Sequence, residues 1–220
     1  MKKSILLLFV AASVIIASCG DSKKKEQEDA KKKEDSLKVV EKEKAKADSI
    51  KKAATKTVFD FDKQYKSDEN GQWVDQAQAS SSYAQKTGKN ASWSADQMIG
   101  EPDVQNYGDN GSAWASKEQD REEEWVKLSF KKPVYATEVR VRMTYNPGAI
   151  SKIEVFNEQG KGEVVWQGTD NKEYNKKMDY FVAKFDKTTY PTNRVKITLA
   201  SKAYAGWNEI DAVQLVGTEK

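Results

Sequence analysis

Beyond about residue 57, apolar side chains recur at every second position. In Glu138–Tyr145, Val139, Val141, Met143 and Tyr145 share one face, and Glu138, Arg140, Arg142 and Thr144 share the other. Val126, Leu128 and Phe130 repeat the spacing, as do Val195, Ile197 and Leu199. This period predicts strands with one buried face rather than helices. Further candidates are Trp73–Ala79, Ile153–Phe156, Val164–Gln167, Tyr180–Phe185 and Glu209–Val216. Turn signals separate the runs: Asn146-Pro147-Gly148, Gly160-Lys161-Gly162, Gly168-Thr169-Asp170-Asn171 and Pro191-Thr192-Asn193. About eight short strands with one-sided burial predict an all-β fold, an antiparallel sandwich or jelly roll. One short helix is expected at Ala95–Ile99, capped by Ser94. Phe59 and Phe61 alternate with Asp60 and Asp62, which reads as an extended lead-in.

The pattern before residue 57 is different. Lys2 and Lys3 precede an apolar run, Ile5 to Ile16, of signal-peptide length and too short for a comfortable membrane span. Ile16-Ala17-Ser18-Cys19-Gly20 follows. It resembles the lipobox of bacterial lipoproteins, in which the Cys receives a diacylglyceryl group and becomes the acylated N-terminus after cleavage. Two or three acyl chains, at about 0.8 kcal/mol per buried CH₂, anchor durably where one does not. The resemblance implies a signal peptide over 1–18, lipidation at Cys19 and a place in the bacterial cell envelope. Gly20 rather than Asp after the Cys points to the outer membrane, with the side it faces left open.

Residues 20–57 hold 13 Lys and 9 Asp or Glu and almost nothing that could form a core. Leu37, Val40, Ala47 and Ala54 stand at rough heptad spacing, but Lys44 and Lys51 interrupt them, which argues against a stable coiled coil. The expected state of 19–57 is a solvated, partly helical or disordered linker. Fully helical, it would reach about 57 Å. Asp35-Ser36-Leu37 and Asp48-Ser49-Ile50 resemble the acceptor of some bacterial O-glycosylation systems.

The remainder, 58–220, is the folded domain. It contains all six Trp, all nine Tyr and six of the seven Phe. Of the 37 basic and 34 acidic residues, 22 and 25 fall here, so the domain is near neutral. That disfavours a nucleic-acid surface, which needs a clustered excess of Lys and Arg. The chain has no histidine and one cysteine. Ser-His-Asp and Cys-His catalysis, His-ligated zinc and an internal disulfide are therefore absent from the possibilities. Glu122-Glu123-Glu124 reads as a solvated run rather than a catalytic pair.

The segment from Ser92 to Ser116, SWSADQMIGEPDVQNYGDNGSAWAS, is long and poor in strand signals, and long loops in compact domains usually carry function or are held by a ligand or ion. With EEEWVKLSFKKPVYATEVRVRMTYNPGAISKIEVF and GWNEIDAVQLVG, it resembles the galactose-binding-like β-sandwich superfamily. That superfamily includes discoidin domains, coagulation-factor C-type domains and several carbohydrate-binding modules. The likeness is strongest to the subtype in pappalysins and an F-box leucine-rich-repeat protein, and it covers about 73–217. It implies a jelly roll whose first and last strands pair. It further implies a ligand, commonly a glycan, bound by loops at one end, and often a structural calcium near them.

The residues follow from those expectations. Calcium needs several hard oxygen ligands, for which Asp103, Asp109, Ser112 and Glu209 are the candidates. Glycan binding needs an aromatic plate and planar polar groups, for which Tyr107, Asn146, Tyr204, Trp207 and Asn208 are the candidates. Trp207 is expected to be exposed, Trp114 and Trp125 to lie in the core, and Tyr145 to continue the buried face of its strand. The leading expectation is a membrane-anchored, non-catalytic module that binds carbohydrate or another envelope ligand. A protein–protein adaptor or structural envelope lipoprotein is the alternative, and a hydrolase comes third.

Overall fold

The computed structural model describes residues 36–44, 58–84, 86–121 and 123–220. Cys19, the signal segment and most of the linker lie outside the described residues. The chain divides into two units, Met1–Ile50 and Lys51–Lys220. Within the first, helix α1 spans 36–44 and exposes Leu37, Val39 and Val40. Glu, Lys and Leu favour this helix by local propensity.

The second unit begins with helix α2 over 58–66. The expected extended lead-in is therefore corrected. Val58, Asp62 and Tyr65 are buried while Asp60, Lys63 and Gln64 are exposed. That is the i, i+4, i+7 pattern of one helical face. The short Phe-Asp alternation masks it.

Eight strands follow: β1 Gly71–Trp73, β2 Gln76–Ala79, β3 Glu124–Tyr145, β4 Ile150–Phe156, β5 Gly162–Gln167, β6 Asp179–Lys184, β7 Thr192–Leu199 and β8 Glu209–Thr218. Every pairing is antiparallel. The first sheet runs β1-β8-β3-β6, and the second runs β2-β3-β7-β4-β5. The sandwich expected from alternation is present, and its first and last strands pair.

Two of the expected strand boundaries are corrected. Trp73–Ala79 divides between the sheets: Val74 N–H bonds Val213 O on β8, and the next residue, Asp75, bonds Ser129 O on β3. Conversely, Val126–Phe130 and Glu138–Tyr145 are parts of one 22-residue strand. Its register shifts between Ser129 and Val134. Pro133 lies there and has no N–H for the ladder, so β3 leaves one sheet and continues into the other.

The inward faces meet in one core that includes Leu128, Val141, Met143, Ile153, Ile197 and Leu215. Each such side chain stabilises the fold by about 1.5–3 kcal/mol on burial. Trp114 belongs to it. Trp125 does not: it is half-buried on the outer face of the second sheet, with Lys127 Nζ 4.7 Å from its ring centre. The alternation explains this correction, since Trp125 is out of phase with Val126 and Leu128.

The outer face of the first sheet is also closed. Arg140, Arg142 and Thr144 are buried, as are Asp211 and Gln214 on β8. Helix α2 lies over them. Arg142 bonds Asp62 and Asp211, and the Arg140 guanidinium sits 4.0 Å over the Tyr65 ring. Glu124 is likewise buried, accepting hydrogen bonds from Ser80 Oγ and Ser81 Oγ. The reading of its run as solvated is thus corrected at Glu124, while Glu122 lies outside the described residues.

Candidate functional site

The segment 92–116 is not a free loop. Met98 and Trp114 enter the main core, and Val104 and Ala113 form a second cluster with Val58 and Met178. Its helix is a 3-10 turn, Ala95–Met98, and Ser94 does not cap it. Ser94 Oγ donates instead to Gly88 O, which closes the preceding loop. Trp114 N–H bonds Ile210 O and Ile210 N–H bonds Trp114 O. The segment is stitched to the start of β8 by its backbone.

This stitching sets Asp109 and Asn110 beside Glu209. Glu209 is fully buried. Its Oε2 accepts the Asn110 N–H at 3.1 Å, and its Oε1 has no hydrogen-bond partner. Burial pushes the Glu209 carboxyl up to about 8, with the neighbouring Asp109 adding to the rise and the Asn110 N–H opposing it. At neutral pH Glu209 therefore holds a proton.

Three aromatic rings wall this pair. Tyr83 meets Trp93 edge-on at 5.3 Å and Trp207 edge-on at 5.5 Å. Trp93 Nε1 donates to Asp109 Oδ1 at 2.9 Å, and Trp207 Nε1 donates to Ser116 O at 3.0 Å. Tyr83, Trp93, Asp109, Ala115, Trp207 and Glu209 enclose about 70 Å³. That is far below the roughly 300–1,000 Å³ of clefts that bury a whole small molecule. The pocket fits one projecting group of a larger ligand. Trp93 has φ of +59°, a strained conformation for a bulky residue that persists only where the surroundings impose it. Here it aims the indole at Asp109.

The structure brings Tyr107, Asn146, Trp207 and Asn208 to this end of the sandwich, joined by hydrogen bonds that leave Asn208 Oδ1 without a partner. Tyr107 OH donates to Asn146 Oδ1, Asn146 Nδ2 donates to Ala205 O and Trp207 O, and Asn208 Nδ2 donates to Asn146 O. Asn146, at φ +41°, is the hub of the turn. Tyr204 lies over Gly148 and donates to Asp170 O. Trp207 is half-buried and Asn208 is buried. Tyr145 is half-buried, its ring edge-on to Tyr107 at 5.7 Å.

Of the calcium candidates, Asp109 and Glu209 come together. Asp103 meets Asp211 through its backbone N–H, and Ser112 bonds Asn110 Oδ1 through its own N–H; both side chains are exposed. Among the described residues no group of three His, Cys, Asp or Glu forms a metal cluster. Two paired carboxyls, with the buried oxygens Glu209 Oε1 and Thr144 Oγ1 lacking hydrogen-bond partners, are nevertheless hard donors of the kind calcium takes. Glu209, Asp109 and Thr144 are the residues that would hold such an ion.

Tyr83 and Trp93 went unrecognised in the sequence. Tyr83 lies outside every strand pattern, and the signal for Trp93 was only a Trp between two serines in a loop. Also unforeseen was the network under α2, because its acids and bases are distant in sequence.

Residues 65–220 match the family described as Pappalysin-1, SD scarf domain, C-terminal. Over 104 residues the chain is 27% identical to F-box/LRR-repeat protein 4 of Bos taurus, covering 43% of this chain and 17% of that protein. Two solved structures align with about two thirds of the chain. A family 32 carbohydrate-binding module from C. perfringens, in complex with galactose, is 17% identical, covers 66% of this chain and 98% of its own, and superposes with a TM-score of 0.47. A module from Clostridium perfringens in complex with GalNAc-β-1,3-galactose is 13% identical, covers 67% and 96%, and gives 0.48.

Proposed function

The chain belongs to the family of the pappalysin-1 C-terminal SD scarf domain, and from that premise we propose a non-catalytic binding module, tethered to a bacterial membrane through acylated Cys19, that grips a projecting group of a carbohydrate. The observation that carries this reading is the pocket in which Tyr83, Trp93 and Trp207 surround Asp109 and Glu209. Indole and phenol rings pack against the C–H faces of a sugar. A protonated Glu209 donates, and the Asp109 carboxyl oxygens accept, so adjacent hydroxyls meet both partners. Asp109 and Glu209 line one pocket of about 70 Å³, which leaves no cleft in which a glycosidic bond could sit between two carboxyls. That small volume favours binding over hydrolysis.

Calcium, where bound, would be held by Glu209, Asp109 and Thr144. It would take the place of the Glu209 proton and rigidify the segment around Asn110. The linker 20–57 gives reach from the bilayer, and the acyl chains set location in the cell envelope, with the outer membrane the expected one.

A glycan screen with the full chain, with and without calcium, tests the binding reading. Selective retention of one sugar class, lost in Trp207→Ala, is the expected result. Failure of every glycan, alongside a stoichiometric protein partner crosslinked at the membrane, would replace it with the adaptor reading. Separately, Cys19→Ser should abolish palmitate labelling and release the protein from the membrane fraction.

A further inference from the structure

The outward side chains of the second sheet form rows across its strands. One row runs Gln78, Lys127, Lys196, Glu154 over β2, β3, β7 and β4, and the next runs Gln76, Ser129, Arg194, Phe156. They floor a trough of about 570 Å³ bounded by Gly160. A shallower groove of about 780 Å³, lined by Lys86, Thr87 and Trp125, continues from it, the two sharing Ala77 and Gln78. Four strands spaced about 4.8 Å apart span about 14 Å before that continuation. Such a shape suits an extended chain rather than a compact ligand.

The chemistry of the floor is specific. Lys127 and Arg194 are exposed and form no ion pair among the described residues. Lys152 and Lys196 both lean on the same Glu154 Oε2, at 3.3 and 3.8 Å, so one acid serves two bases. This excess of positive charge is local, because 58–220 as a whole holds 25 acidic and 22 basic residues. The side chains of Gln76, Gln78 and Ser129 make no hydrogen bond among the described residues and offer donors and acceptors for hydroxyls. Nucleic acid would want open rings for its bases. The ring of Trp125 is instead capped by Lys127 and Lys196, at 4.7 and 5.9 Å.

We infer that the outer face of the second sheet binds a linear polysaccharide bearing carboxylate or sulfate groups, at a site separate from the loop-end pocket. Lys127 and Arg194 pair with its anionic groups, and Gln76, Gln78 and Ser129 hold the hydroxyls between them. Phe156 lies at the side where the chain passes Gly160.

Calorimetric titration of the full chain with an oligogalacturonate hexamer, its methyl-esterified form and a sulfated dextran oligomer decides the matter. At least one charged oligomer should bind, and the neutral ester at least about tenfold more weakly than its acid, as loss of charge-assisted hydrogen bonds requires. Lys127→Gln combined with Arg194→Gln should weaken the charged ligand by about tenfold or more while leaving the denaturation midpoint unchanged, since both residues are exposed. Trp207→Ala, in the other site, should leave this affinity unaltered, so the two sites fail or stand separately. The inference is overturned if neither charged oligomer binds, if ester and acid bind alike, or if the double variant binds as tightly as the parent. It is equally overturned if an oligothymidylate of equal charge or anionic lipid vesicles bind more tightly than both.

Discussion

Arg142 of β3, fully buried, is gripped by Asp62 of α2 through two hydrogen bonds, Nε to Oδ1 at 2.9 Å and Nη2 to Oδ2 at 3.0 Å. Asp211 takes Nη1 at 2.5 Å, and Tyr180 OH donates to Asp62 Oδ1 at 2.7 Å. This contact turns an isolated amphipathic turn of helix into part of the sandwich. Two parallel hydrogen bonds between planar groups fix orientation as well as distance.

Asp62→Ala should therefore destabilise the domain by about 3–5 kcal/mol, because it leaves half of a buried guanidinium unpaired. Urea denaturation followed by circular dichroism measures it. A loss below about 1 kcal/mol, the usual size for an exposed pair, would mean that α2 is merely laid on the surface.

Stability should depend on pH through Glu209. Its carboxyl rises from 4.5 to about 8 on folding, so the native state holds the proton more tightly than the unfolded chain. Its contribution is complete below its unfolded value and is lost as pH climbs through about 8. Asp211, raised by burial from 3.8 to about 6 against the pull of Arg142, adds a loss of the same sign at lower pH. Glu209→Gln should remove the upper part of this decline and leave the lower. Calcium should restore stability above neutrality in the parent and not in the variant. Denaturation midpoints followed across the two windows check both statements.

Tyr83 couples Trp93 to Trp207. Tyr83→Ala, Trp207→Ala and the double variant should show a coupling of about 0.5–1.5 kcal/mol, the value of one edge-to-face pair. The single Tyr83→Ala change should also weaken whatever glycan the screen identifies. Additive effects on stability would show that the two rings act independently.

Gly148→Ala should be costly for two independent reasons. The backbone there has φ of +119°, and a Cβ would meet the Tyr204 ring at 2.7 Å. Tyr204 is held by Asp170 O at 3.1 Å and cannot swing away without breaking that bond. A destabilisation above about 1 kcal/mol is expected, together with altered Trp207 fluorescence as the loop shifts. An unchanged midpoint and spectrum would show that the turn relaxes freely.

Most strands were legible because their inward residues repeat every second position: Val139, Val141 and Met143 could be placed from one line of text. That Asp109 and Glu209 line one pocket was half legible, since both stood among the expected ligands without any sign that they lie together. Asn146 and Asn208 were singled out as ligand-facing groups. In the structure they also join the loops, with Asn208 Nδ2 on Asn146 O, a use that loop sequences do not distinguish from exposure.

Periodicity and composition by themselves gave the sandwich and the absence of imidazole chemistry, and the motifs of 92–116, 122–156 and 206–217 gave the family resemblance. Each follows from the order of residues along one segment. Which polar face stays open was decided only in three dimensions. Arg140 and Arg142 alternate with core residues much as Lys127 does, yet α2 covers the former pair and nothing among the described residues covers the latter. A strand's pattern reports that one face is apolar. What lies over the other face depends on residues far away in sequence, such as Asp62 and Tyr65, whose side chains supply the charge and the ring that make burying arginine tolerable.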